Sequence, residues 1–143
     1  MTNYILYCDG GGNPTTRTYF SYRLFENNKP VESMQMNRFL CRNLPPDEIP
    51  LNCSIVDDRG LSTNNIAEFA AAFFSVKRFK DEIGTFPLTV YQDSQLIVNQ
   101  INDLWKCKKS HLQKWLNAIN SIRWNTLKFE WIPREIIVPI LGH

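Results

Sequence analysis

Before residue 40 the chain carries three stretches with strand character and only short connections between them. Residues 3–9, NYILYCD, are an apolar run. Residues 16–27, TRTYFSYRLFEN, are rich in Thr, Tyr and Phe with partial alternation, and residues 30–40, PVESMQMNRFL, set Met34 and Met36 against Gln35 and Asn37. Strands joined this closely pair antiparallel, one to two to three, because a parallel return needs a crossover of about a dozen residues or more. The period then changes. Residues 62–84, STNNIAEFAAAFFSVKRFKDEIG, predict a helix capped by Ser62, Thr63 or Asn64 and closed by Gly84. FPLTVYQD (86–93) predicts a buried strand and SQLIVNQIND (94–103) a helix directly after it. HLQKWLNAINSIRW (111–124) repeats Leu112, Trp115, Leu116, Ile119 and Ile122 at helical spacing, and TLKFEWIP (126–133) alternates Leu127, Phe129 and Trp131. The order β-β-β-α-β-α-α-β plus a tail suits an α/β fold with one mixed five-stranded sheet and helices packed on it.

Residues 41–62 resist this reading. Three prolines and many polar residues argue against a helix, whereas LNCSIV (51–56) has the look of a short extra strand. A connection this long is functional or carries structure of its own.

The 143 residues predict a single domain spanning 1–143, and 43% apolar with 21% charged content is ordinary for a soluble globular protein. The net charge of +2 says little, but residues 104–115, LWKCKKSHLQKW, hold four lysines, two tryptophans, a histidine and no acid. Such a patch fits a polyanion better than a membrane; a solvated helix start is the plainer alternative. Cys8, Cys41, Cys53 and Cys107 are scattered without metal-finger spacing and read as free thiols in a reducing compartment. No signal peptide or apolar run of about 18 residues is present, which predicts a cytoplasmic protein with no membrane partner.

ILYCDGGGNP (5–14) ends an apolar strand in Asp9 and follows it with Gly10, Gly11 and Gly12. A buried acid is costly unless something pairs with it, and the missing side chains imply close approach of something large to the backbone. LTVYQD repeats the pattern, placing Asp93 at the carboxyl edge of the sheet, where α/β folds build sites. Glu68 stands in the first turns of the alanine-rich helix among core-facing neighbours. Singly, each acid has an ordinary explanation: Asp9 a turn residue, Asp93 an N-cap, Glu68 a helix-start charge. Together, with strands one and four adjacent, Asp9 and Asp93 approach within a few ångströms and are held partly protonated unless a cation joins them. Oxygen clusters of this kind prefer Mg²⁺ or Mn²⁺.

YCDGGGNP, TNNIAEFAAA, YQDSQLIVNQI and FEWIPRE, in this order and at these separations, resemble the type 1 ribonuclease H family across nearly the whole chain. The resemblance implies the ribonuclease H-like fold. It also implies an endonuclease that hydrolyses the RNA strand of RNA–DNA hybrids, leaving 5′-phosphate ends, with Asp9, Glu68 and Asp93 as ligands of two Mg²⁺ or Mn²⁺ ions. Two ions roughly 3.5–4 Å apart activate a water and stabilise the leaving oxygen. No organic cofactor is implied, and a monomer is expected. By the same resemblance Gly10, Gly11 and Gly12 let the backbone meet 2′-hydroxyls in the minor groove. Asn64, Asn65 and Gln95 read that groove, while Thr63 with Asn13 holds a DNA phosphate; helix capping is the alternative for 63–65. Trp105, Lys106, Lys108 and Lys109 lie where some relatives carry a longer basic protrusion, so the grip on substrate is expected to be weaker and salt-sensitive.

The pattern breaks at the end. Relatives place a fourth ligand, an aspartate, at the start of a closing helix, whereas this chain reads WIPREIIVPILGH and offers only Asp103, Glu130 and Glu135 after Asp93. No room for a closing helix is expected. Either His143 replaces the carboxylate as a fourth ligand, tilting preference towards Mn²⁺, or three ligands suffice. His111, beside lysines, reads as a surface or phosphate contact. Two other functions remain in view: a non-cleaving nucleic-acid-binding module of the same fold, and a DNA-directed nuclease of the wider superfamily.

Overall fold

The computed structural model describes residues 2–13, 17–40 and 46–142. Five strands, β1 (Tyr4–Asn13), β2 (Arg17–Glu26), β3 (Lys29–Phe39), β4 (Leu88–Gln92) and β5 (Leu127–Trp131), form one sheet in the order β3-β2-β1-β4-β5. The first three pair antiparallel; β4 is parallel to β1 and β5 to β4. Four helices accompany them: α1 (Asn64–Glu82), α2 (Gln95–Ile101), α3 (Ser110–Ile122) and α4 (Arg134–Leu141). The mixed α/β sheet expected from the sequence is the one formed.

Local chemistry explains the elements. Asn27 and Asn28 both take positive φ, 51° and 67°. That is the primed two-residue turn that joins twisted antiparallel strands, here β2 to β3. Thr63 caps α1, its hydroxyl oxygen accepting from the Ile66 amide at 3.3 Å. One face of the sheet presents Leu6, Cys8, Phe20, Tyr22, Leu24, Leu88 and Val90 to Phe69, Ala70, Phe73, Val76 and Phe79 of α1, all buried. Trp115 of α3 closes this layer edge-on against Phe73, ring centroids 6.1 Å apart, and donates its indole N–H to the Ser54 carbonyl. Truncating such a fully buried ring costs about 3–5 kcal/mol.

Three expectations need correction. First, β1 does not end at Asp9. Gly10, Gly11 and Gly12 continue the ladder against Phe20, Tyr19 and Thr18, so Asp9 is an in-strand residue and not a turn. Second, residues 51–56 form turns and bends in place of an extra strand, and Leu51 is 89% exposed. Third, the tail does form a helix. Eight residues suffice for α4 because its apolar side is anchored on the opposite face of the sheet. Ile137 is fully buried, Arg23 of β2 donates to the Ile140 carbonyl at 3.0 Å, and Gly142 closes the end in the left-handed region.

Candidate active site

The parallel register of β1 and β4 places the acids. Tyr7 lies opposite Tyr91, and the two rings stack with centroids 5.6 Å apart. Side chains alternate along a strand, so the next pair on that face is Asp9 and Asp93, which are hydrogen-bonded to each other. Glu68 enters from the second turn of α1. Its approach depends on Gly10: a Cβ there would sit 2.2 Å from the Ala67 carbonyl carbon and 2.4 Å from the Glu68 nitrogen. The glycine thus makes room for the helix that carries Glu68. Gly11 faces the Tyr19 phenol at an ordinary distance, and Gly12 takes φ 112°.

The carboxylates are electrostatically uncomfortable. Burial, followed by the Asp93 charge, the hydrogen bond with Asp93 and the Glu68 charge, pushes Asp9 well above the usual carboxylate range, against the pull of the Gly10 amide at 2.9 Å. Burial and the Asp93 charge raise Glu68 to about 7, although the Ser94 hydroxyl opposes this. Beneath them the Cys8 thiol is buried and pushed upward too, so it is inert.

Three carboxylates form a hard oxygen donor set of the sort that takes Mg²⁺ or Mn²⁺. Glu68 Oε2 is buried and has no hydrogen-bond partner among the described residues. A divalent ion would relieve both this atom and the Asp9–Asp93 repulsion, so the residues fit the group. Their present rotamers do not complete a site: among the described residues no three His, Cys, Asp or Glu side chains are grouped to hold an ion. Asp9 and Asp93 are turned onto each other and Glu68 onto Ser94.

The FEWIPRE stretch braces Asp93. The Trp131 indole donates to the Asp93 carbonyl at 3.1 Å, the Ile132 amide to the Gln92 carbonyl at 3.1 Å, and Arg134 Nη1 stands 3.8 Å from Asp93 Oδ2. Sequence reasoning gave no role to Trp131 or Arg134, although both lie inside a motif it singled out. Asp93 itself is not the cap of α2; Ser94 is, accepting from the Ile97 amide.

The obscure connection seats the start of α1. Asp57 accepts from the Arg59 and Leu61 amides and pairs with the Arg59 guanidinium at 2.7 Å, which holds its carboxyl down at about 2. Next to this clasp, buried Thr18 donates to the Ser62 carbonyl at 2.6 Å. Thr63, Asn64 and Asn65 follow at once, Asn64 exposed and Asn65 half-buried. Gln95 is exposed on the first turn of α2, close in sequence to Asp93. Trp105 and Lys106 are exposed in the loop between α2 and α3, with Lys108 and Lys109; the Gln100 amide supports this loop by donating to the Lys106 carbonyl. His111 is half-buried in the first turn of α3. The His143 ligand and the Asn13 side chain lie outside the described residues, as does Cys41; Cys8, Cys53 and Cys107 are free thiols.

The sequence profile of the Reverse transcriptase-like family matches residues 53–140, more than half of the chain. The chain belongs to the reverse transcriptase-like family. Solved structures similar to this family member include two ribonucleases H1 and a ribonuclease H domain. That of the halophilic archaeon Halobacterium salinarum NRC-1 has a TM-score of 0.72 at 17% identity, covering 94% of this chain and 88% of that one. The LC11 RNase H1 in complex with RNA/DNA hybrid has 0.73 at 23%, covering 96% and 90%. The N-terminal RNase H domain of rv2228c from Mycobacterium tuberculosis has 0.73 at 17%, covering 97% and 88%. Identities this low establish a common fold, and the fold that the resemblance to type 1 ribonucleases H implied is borne out. No curated protein sequence matches the chain. Among the described residues no helix is long and apolar enough to cross a membrane.

Proposed function

We propose that this protein is a divalent-metal-dependent ribonuclease H that hydrolyses the RNA strand of RNA–DNA hybrids. The observation that carries the reading is the meeting of Asp9 of β1 with Asp93, just past the end of the adjacent β4, with Glu68 of α1 charge-coupled to both. One of the fold's solved relatives holds an RNA/DNA hybrid, which supports the same substrate class here.

Bound Mg²⁺ or Mn²⁺ would supply an activated water and a counter-charge for the departing oxygen. The chain's own residues supply the frame. The Gly10 amide orients Asp9, Trp131 and Arg134 hold the Asp93 segment, and Glu68 presents a buried, unpartnered oxygen. Water adds to phosphorus, the bond to the ribose 3′-oxygen breaks, and the downstream fragment keeps a 5′-phosphate. Gly11, Gly12, Asn64, Asn65 and Gln95 face the minor groove in this reading, whereas Gly10, buried under Ala67, serves the packing of α1. Thr63 with Asn13 takes a DNA phosphate, Trp105 and Lys106 grip the duplex, and His143 is the candidate fourth ligand. The protein works as a cytoplasmic monomer.

End-labelled hybrid incubated with protein and Mg²⁺, Mn²⁺ or EDTA tests this. Cleavage of the RNA strand alone, dependent on the ion, is expected. Retarded but intact RNA in both metals would instead establish a module that holds hybrid without cutting it.

A further inference from the structure

On the α1-facing side of β4 the inward positions run Leu88, Val90, Gln92, all buried. Gln92 is 2% exposed, and its Oε1 is buried with no partner among the described residues. A leucine would fill this position without that cost. The amide is explained by what its nitrogen does. Nε2 donates to the Glu68 carbonyl at 2.9 Å and lies 3.6 Å from Cys8 Sγ, one step along from the Leu6–Val90 register pair. Cys8 precedes Asp9, and Gln92 precedes Asp93. The main-chain carbonyl of Gln92 also accepts the Ile132 amide that begins the Trp131–Arg134 brace.

We propose that Gln92 is a positioning residue that sets the spacing of Asp9, Glu68 and Asp93 by tying β1, α1 and β4 together through one buried amide. It touches neither substrate nor ion. The Glu68 carbonyl lies in α1, and the extra bond from Gln92 fixes that turn of the helix against the strands bearing the other two acids. Outer groups that orient ligands carry a large part of metal affinity. The proposal rests on the metal-dependent reading above.

Gln92→Leu is compared with the wild type by thermal unfolding, Mn²⁺ calorimetry and hybrid cleavage well below the unfolding midpoint. The expected result is a midpoint shifted by no more than about 3 °C, Mn²⁺ affinity about tenfold weaker and kcat at least about tenfold lower, with KM for hybrid within about twofold. A filler of the core would lower the midpoint and leave kcat and Mn²⁺ affinity unchanged, which overturns the proposal. Should Gln92→Leu not fold, Gln92→Met decides, and failure of both to fold overturns it by making Gln92 a stability residue. If the wild type cuts no hybrid but binds Mn²⁺, the functional reading falls alone, and the affinity ratio still decides. If the wild type binds no Mn²⁺, both fall.

Discussion

Gly10 lies directly under Ala67: a Cβ added to the strand residue would sit 2.2 Å from the carbonyl carbon of the helix residue. Backbone cannot yield as a flexible side chain does. Gly10→Ala is therefore expected to lift α1 off β1, destabilise by about 3 kcal/mol and remove cleavage by displacing Glu68. Gly11→Ala, whose Cβ meets the Tyr19 hydroxyl at 3.5 Å, is expected to cost less than about 1 kcal/mol. Urea unfolding of the two variants makes the comparison, and equal losses would refute it.

The pH dependence of the metal-free protein follows from the raised acids. Glu68 binds its proton up to about pH 7 in the folded state, and Asp9 is raised as well. The folded chain thus holds protons that the unfolded chain, with carboxyl groups near 4, has released. Stability is full below about pH 4 as far as these groups are concerned, and falls as pH rises through 7. The unfolding temperature in EDTA should be lower at pH 8 than at pH 5.5, and Mn²⁺ should narrow the gap.

Asp9→Asn removes the same strain by another route. In EDTA at pH 8 it should be more stable than the wild type by about 1–2 kcal/mol, while hybrid cleavage falls by about 10³-fold or more, roughly 4 kcal/mol of transition-state stabilisation. Scanning calorimetry and single-turnover cleavage read the two effects, which point in opposite directions.

Arg134 is largely exposed and stands 3.8 Å from a buried carboxylate. Its loss should change stability by less than about 0.5 kcal/mol. Because the guanidinium competes with a cation for Asp93, Arg134→Ala should tighten Mn²⁺ binding about two- to fivefold while raising KM for the anionic hybrid. Calorimetry showing weaker Mn²⁺ binding would mean that Arg134 acts on Asp93 as a brace and not as a competing charge.

The lysines of the loop between α2 and α3 should act through salt. Replacing Lys106, Lys108 and Lys109 by alanine is expected to weaken hybrid binding and to flatten its salt dependence by about one unit of slope for each lost phosphate contact. Titrations at several salt concentrations check this.

Much of this architecture was legible in the sequence, because two periodicities and one register suffice. Alternation in β1 and β4 puts Tyr7 with Asp9 and Tyr91 with Asp93 on one face, and adjacency of those strands does the rest. What sequence reasoning missed depends on tertiary approach. Glycine has little strand propensity, so a break after Asp9 was the natural reading; only the proximity of Ala67 shows why a strand carries Gly10. Arg134 and Trp131 act on Asp93 across 38 residues or more in the chain. Trp131 at an alternating position looked like core. The Asp57 clasp did have a local signal: an Asp two residues before Arg59 and three before Gly60, which takes φ 79°, has the composition of a tight polar turn.

That clasp divides the long segment before α1 into two parts with different duties. Hydrogen bonds accepted by Asp57 and donated by Thr18 bolt residues 57–62 in place, so the start of α1 takes its position from the sheet and not from whatever arrives upstream. Insertions at the exposed Leu51–Asn52 turn should therefore be inherited easily, whereas a single deletion between Asp57 and Thr63 would turn the first coil of α1 by about 100° and swing Glu68 out of reach.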